Sequence, residues 1–177
     1  MGTNAMGLHT LSSCVLFAKT LRLQGKNGRK LDVGYVGSVE SVNSKLVDTL
    51  CKAGVVPVIA PVAQGISGGK LNVNADSAAG MVAASLEAEK LVVVSDTHGI
   101  RSDINDPDSW ISSLDEEQIQ KMIDEGVITD AMFPKVDACL KALNAGVQKA
   151  HIIDGRIDHS LLLEIYTDMG IGTEILK

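Results

Sequence analysis

Short apolar runs alternate with helix-periodic stretches along most of this chain, and few folds accept that order. Val55-Val-Pro-Val-Ile-Ala60 and Leu91-Val-Val-Val94 read as strands, the second buried on both faces, whereas Pro57 makes the first irregular or edge-like. Cys14-Val-Leu-Phe-Ala18 reads as another buried strand. Gly34 to Val42 alternates at period two, and His151-Ile-Ile-Asp154 supplies a last strand. Between these runs, Leu46, Val47, Leu50 and Cys51 share a helical face that Asn43 caps and Gly54 stops. Val136, Cys139, Leu140 and Leu143 share another, ending at Gly146. Asp76 is expected to cap a helix running to about Leu86. Ser113 and Glu116 have capping-box spacing ahead of Ile119, Met122, Ile123 and Gly126, and Ser160 to Tyr166 forms a final helix. The alternation implies an α/β protein: a three-layer αβα sandwich with a mostly parallel sheet.

Apolar residues make up 45% of the 177 and aromatic ones only 3%, so the core must be aliphatic. The length suits one domain over residues 1–177, in which 1–33 form a hairpin segment turning at Gly25-Lys-Asn-Gly28. A formal charge of -6 argues against nucleic acid or an anionic membrane as partner. It leaves a nucleotide open, because backbone dipoles hold phosphate on acidic proteins too. Three scattered cysteines fit neither a disulfide framework nor a zinc site; Cys51 and Cys139 read as core residues, and the compartment as cytoplasmic. No run approaches the length of about 20 that a membrane span needs.

Four places carry candidate chemistry. Asn72, Asn74 and Asp76 alternate before a helix, so an extended chain puts two amides and a carboxylate on one side. They suit a small polar substrate, or equally a turn and an N-cap. Ser95-Asp-Thr-His-Gly-Ile-Arg101 follows the Val-rich strand, and strand carboxyl ends are where open α/β sheets bind ligands. His98 there reads as a surface residue rather than a base. There is neither a Walker glycine–lysine loop nor a dinucleotide fingerprint. Lys135 follows Pro134 in a first helical turn, where a cation opposes the helix dipole unless an anion sits between, and a solvated lysine is the plainer alternative. His151, Asp154, Asp158 and His159 are more simply solvated loop residues than metal ligands.

Taken in order, several segments resemble N-acetylglutamate kinase, of the amino acid kinase family. They are Gly34-Tyr-Val-Gly37, Val55 to Pro61, Asn72-Val-Asn-Ala-Asp-Ser-Ala-Ala79, Gly126-Val-Ile-Thr129, Met132-Phe-Pro-Lys135, His151-Ile-Ile-Asp-Gly-Arg156 and Gly170-Ile-Gly-Thr-Glu-Ile175. The resemblance implies the nucleotide-binding half of an amino acid kinase-like fold. It implies transfer of the γ-phosphoryl of ATP to the side-chain carboxylate of N-acetyl-L-glutamate, in arginine biosynthesis, with Mg2+ bound through the nucleotide. By carry-over, Lys135 stabilises the transferring phosphoryl and Asp76 orients the catalytic lysines. Asn72, with Asn74 nearby, contacts the acetylglutamate. Asp96, Thr97, His98, Gly99, Ile100 and Arg101, with Val127, Ile128 and Thr129, hold the nucleotide.

The family's amino-terminal lobe, with its glycine-rich phosphate loop and second catalytic lysine, has no match in the chain. Ala131 stands where the family has glycine, and His9-Thr10 replaces a small-residue turn. The expectation is therefore a nucleotide-binding half that is weak or inactive alone and needs a partner lobe, with a non-catalytic sensor or interaction module as the other class. The family's dimer and its arginine inhibition stay open.

Overall fold

Residues 2–11, 13–24, 30–103, 105–106, 108–129, 131–167 and 170–177 are described by the computed structural model. They group into two units, Met1–Leu86 and Glu87–Lys177.

The first unit runs β1 (Asn4–Leu8), β2 (Leu16–Gln24), β3 (Lys30–Val42), α1 (Ser44–Lys52), β4 (Val55–Ile59), β5 (Val62–Gly65), β6 (Lys70–Val73) and α2 (Ala75–Ser85). β1 and β4 pair in parallel as a two-stranded sheet, while β2, β3, β6 and β5 close into a small barrel that the sequence did not announce. β2 lies antiparallel to β3, with register shifts after Phe17 and Thr20. Such irregularities bend a ladder, which is what closing a barrel of four strands requires. The segment Gly25-Lys-Asn-Gly28 lies outside the described residues. Leu16, Ala18, Ala63, Leu71 and Val73 contribute to the core, joined by Val47 from α1 and Ala78 from α2.

Two local expectations change here. Asn74, not Asp76, caps α2: its backbone is extended, and its side-chain oxygen accepts the Ser77 N–H at 2.9 Å. Asp76 lies in the first turn. Cys51 is exposed rather than core, because α1 meets the interior through Leu46, Val47 and Leu50 and its packed face ends there. Asn43 caps α1 as its position implied, accepting the Leu46 N–H at 3.2 Å.

The second unit runs β7 (Lys90–Ser95), β8 (Ser113–Leu114), α3 (Glu116–Asp124), α4 (Phe133–Asn144), β9 (Lys149–Asp154), α5 (Ser160–Tyr166) and β10 (Gly172–Ile175). Its sheet has the order β7-β9-β10-β8. β7 and β9 are parallel, as are β10 and β8, whereas β9 and β10 are antiparallel. Helices α4 and α5 both pack on β9, completing the α/β sandwich. Ala138, Cys139 and Ala142 are fully buried on α4, and their small size lets the helix approach closely. Gly172 is needed for the same reason: a Cβ there would strike the carbonyl of Ile152 on β9.

In this unit the cap of α3 also moves. Ser113 belongs to β8, and the capping box is formed by Asp115 and Gln118. Asp115 Oδ1 accepts the Gln118 N–H at 2.8 Å, and Gln118 Oε1 accepts the Asp115 N–H at 3.0 Å. Val94 is 57% exposed, although its run reads as buried on both faces. β7 is the edge strand of its sheet, and its burial alternates. Among the described residues, no helix is long and apolar enough to cross a membrane.

Candidate active site

Three separate stretches of the second unit converge on one pocket. The first is the loop leaving the carboxyl end of β7, from Ser95 to Arg101. The second is the connection between α3 and α4, and the third is Lys135 in the first turn of α4. Pro134 is the second residue of that helix, in the first turn where no N–H is needed, so the turn bearing Lys135 is set by local sequence. Ile100 and Ile128 are almost fully buried; with Val127, Ala131 and Met132 they give the pocket an apolar side. Asp96, Thr97, Thr129, Arg101 and Lys135 give it polar and charged groups. An apolar wall beside cations and a helix start suits a flat heterocycle joined to phosphate.

Short-range bonds shape the first loop. Ser95 Oγ lies 3.3 Å from Thr97 Oγ1, and Thr97 Oγ1 reaches the Gly99 carbonyl at 3.4 Å. Gly99 turns with φ +96, a conformation that side chains resist, and a Cβ there would also lie 2.5 Å from Thr173 Oγ1. In the second stretch, the N–H groups of Val127 and Ile128 both donate to the Met122 carbonyl, at 2.9 and 3.2 Å.

Asp96, Thr97, Gly99, Ile100, Arg101, Val127, Ile128, Thr129 and Lys135 thus lie around one space. His98 does not line it. It faces a neighbouring pocket with Trp110, at 5.1 Å between ring centroids, and lies 4.0 Å from Asp154. Ser95 and Met132 also line the main pocket; both lie within segments singled out in the sequence, where neither carried a role of its own. Asn72, Asn74 and Asp76 belong to the first unit; both asparagines are exposed and Asp76 is half-buried.

Two buried ionisable groups correct the reading of the His151–His159 segment as solvated loop. Asp154, at the end of β9, is 3% exposed. Its carboxylate accepts Arg156 Nε at 2.9 Å, Arg156 Nη2 at 2.7 Å and the Arg156 backbone N–H at 2.9 Å. The Arg156 side-chain bonds hold its pKa down at about 2. His151 is 6% exposed on β9, with Nδ1 2.5 Å from Glu164 of α5. Burial lowers its pKa in spite of that carboxylate. Its Nε2 is buried without a hydrogen-bond partner among the described residues, 3.6 Å from Glu174. His151, Glu164 and Glu174 line a second pocket of about 420 Å³ that also includes Lys149 and Lys90. Asp154 and His151 both sit on a strand that helices cover, which explains why polar letters in sequence became interior residues. His159 instead precedes α5 in a left-handed conformation and makes no cap bond. Among the described residues, no three His, Cys, Asp or Glu side chains converge on a metal position.

Residues 1–154 match the amino acid kinase family. The chain is 49% identical over 146 residues to the acetylglutamate kinase of Moorella thermoacetica, covering 82% of this chain and 49% of that protein. It is 47% identical over 180 residues to that of Trichlorobacter lovleyi, covering 99% of this chain and 61% of that one. The chain therefore spans between about half and three fifths of the length of these curated relatives. Among solved structures it resembles N-acetylglutamate synthase from Neisseria gonorrhoeae complexed with coenzyme A and L-arginine. That match has a TM-score of 0.84 and 26% identity, over 100% of this chain and 38% of that one. The converging loops and the family match lead to one conclusion: the chain belongs to the amino acid kinase family.

Proposed function

We propose that this chain provides the nucleotide-binding part of a kinase that phosphorylates the side-chain carboxylate of N-acetyl-L-glutamate. The observation that carries this reading is the meeting of the β7 loop, the α3–α4 connection and Lys135 around one pocket. The likeness to proteins named acetylglutamate kinase supports this choice of acceptor. In the reaction, a carboxylate oxygen of the acceptor attacks the γ-phosphorus of ATP. The bond to the β–γ bridging oxygen breaks, leaving an acyl phosphate and ADP. Such transfer asks for positioning and positive charge rather than covalent help. Lys135 would neutralise charge on the moving group, with Asp76 orienting the lysines and Asn72 and Asn74 holding the acceptor. Magnesium would arrive on the nucleotide phosphates and supply further charge neutralisation.

Titration calorimetry with MgADP tests the nucleotide claim; no heat and no chemical-shift change around Asp96 would remove it. A coupled ADP-release assay with N-acetyl-L-glutamate is then run in two arms. One uses this chain alone, and the other adds the amino-terminal part of an acetylglutamate kinase. We expect turnover in the second arm. Binding without turnover in either arm would leave a nucleotide-binding module and remove the kinase reading.

A second ligand is favoured by the pocket around His151. An imidazole nitrogen with no hydrogen-bond partner among the described residues, in a pocket carrying Glu164 and Glu174 as well as Lys90 and Lys149, suits a small amino acid with both charges and a cationic side chain. The Neisseria gonorrhoeae synthase was crystallised with L-arginine, and we propose the same class of effector here. Calorimetry with L-arginine on the wild type and on Glu164→Gln decides; equal heats would remove the assignment.

A further inference from the structure

Strand β10 reaches the β7 loop through one side chain. Thr173 is fully buried, and its hydroxyl makes two bonds to different segments. It accepts the Ile100 N–H at 2.8 Å and donates to the Ile111 carbonyl at 2.6 Å. Ile111 in turn donates its N–H to the Ile100 carbonyl at 2.9 Å, so the three residues close a small hydrogen-bonded circuit. Gly99 is part of the same contact, since any Cβ there would collide with the Thr173 hydroxyl. The loop carrying Asp96, Thr97 and Arg101 is therefore tied to the sheet beside Gly99, where its backbone takes a positive φ.

We infer that Thr173 is a positioning residue for nucleotide binding: its hydroxyl sets the Gly99–Ile100 backbone against which the nucleotide lies. The inference rests on the nucleotide reading of the main pocket. Thr173 lines neither that pocket nor the one around His151, so it acts through the loop and not by touching a ligand. A buried hydroxyl with both a donor and an acceptor role is hard to replace. Valine has the shape but leaves the Ile100 N–H and the Ile111 carbonyl without that partner. Serine keeps both bonds and loses only the methyl group.

The test compares wild type, Thr173→Val, Thr173→Ser and Ile175→Val at a temperature where each is folded by circular dichroism. Ile175 is fully buried on the same strand and makes no bond to the loop among those described. MgADP affinity is measured by calorimetry, and exchange of the Ile100 amide by nuclear magnetic resonance. Thr173→Val should bind MgADP about tenfold more weakly, the factor that a lost buried hydrogen bond is worth. It should also expose the Ile100 amide to exchange. Thr173→Ser should stay within about twofold of wild type, and Ile175→Val should lose thermal stability while keeping its affinity. Should Thr173→Val fail to fold, Thr173→Cys replaces it, with the same expected weakening. Wild-type affinity in the valine or cysteine variant overturns the role of Thr173 and leaves the nucleotide reading standing. Equal weakening in Ile175→Val also overturns it, because the effect would then be general to the strand. A wild type that itself binds no MgADP instead overturns the nucleotide reading, and this inference with it.

Discussion

Arg156 grips Asp154 from the next turn of the chain, with Nε on one carboxylate oxygen at 2.9 Å and Nη2 on the other at 2.7 Å. The carboxylate is buried while most of the guanidinium side chain remains in solvent. The pair thus closes the end of β9 and keeps a charge inside without leaving it unpaired. Because its folded pKa is about 2 against an ordinary 3.8, its contribution to stability is complete above about pH 4. As pH falls below that, the unfolded chain takes the proton first, and the contribution disappears toward pH 2. Carbon-detected titration of Asp154 should return a value near 2 in the wild type. In Arg156→Gln it should move up toward the ordinary carboxylate range; an unmoved value would show that Arg156 is not the cause.

His151 titrates in a different window. Burial holds its pKa below 6.5, so the imidazole is neutral in the fold while the unfolded chain takes up a proton first on acidification. Stability should fall as pH drops through about 6.5, and His151→Gln should flatten that slope. The check is the denaturant midpoint followed from about pH 8 to about pH 5.5. Glu164→Gln removes the attraction that partly offsets burial, and should push the His151 titration lower still.

Asn74 allows its cap to be separated from any contact with substrate. Asn74→Ala should cost about 1 kcal/mol in unfolding free energy through loss of the α2 cap, and Asn74→Asp should restore most of it. If the amide also meets the acceptor, Asn74→Asp will recover stability and still raise the KM for N-acetyl-L-glutamate. A KM unchanged in the aspartate variant confines Asn74 to capping.

Lys135→Ala tests the proposed stabiliser in the complemented assay. Loss of one charge aimed at the transition state lowers turnover by about a hundredfold to a thousandfold. MgADP affinity should fall far less. Turnover equal to wild type would remove Lys135 from the mechanism.

The cysteines offer a check on packing alone. Cys51 is exposed and Cys139 fully buried. A thiol reagent followed by peptide mass mapping should modify Cys51 in the native protein, and Cys139 only after denaturation.

What local sequence determines is visible in elements whose signals lie within a few residues. Asn43 and Gly54 bracket α1, Pro134 lies in the first turn of α4, and α5 spans Ser160–Tyr166 as its pattern implies. Segments singled out at the carboxyl end of β7 and ahead of α4 line one pocket, and both are marked locally by glycine, proline and short polar residues. Where two nearby signals competed, sequence spacing could not choose. Asn74 and Asp76 are both good caps, and so are Ser113 and Asp115; the neighbouring strands β6 and β8 decided by claiming the residues before each helix.

Other features depend on partners far away in the chain and have no local signature. The barrel of β2, β3, β6 and β5 exists because register shifts let four strands meet. Val94 is exposed because β7 ends up at a sheet edge. His151 and Asp154 fall on a strand the sequence does show, but their burial follows only once β9 is covered and Glu164 and Arg156 arrive to hold them. Thr173 belongs to a segment that carried no assigned role, and its importance lies in bonds to Ile100 and Ile111, long distances away in sequence. Local sequence can set backbone turns through short-range sterics and capping, but the burial of a charge or hydroxyl is decided by what the finished fold places opposite it.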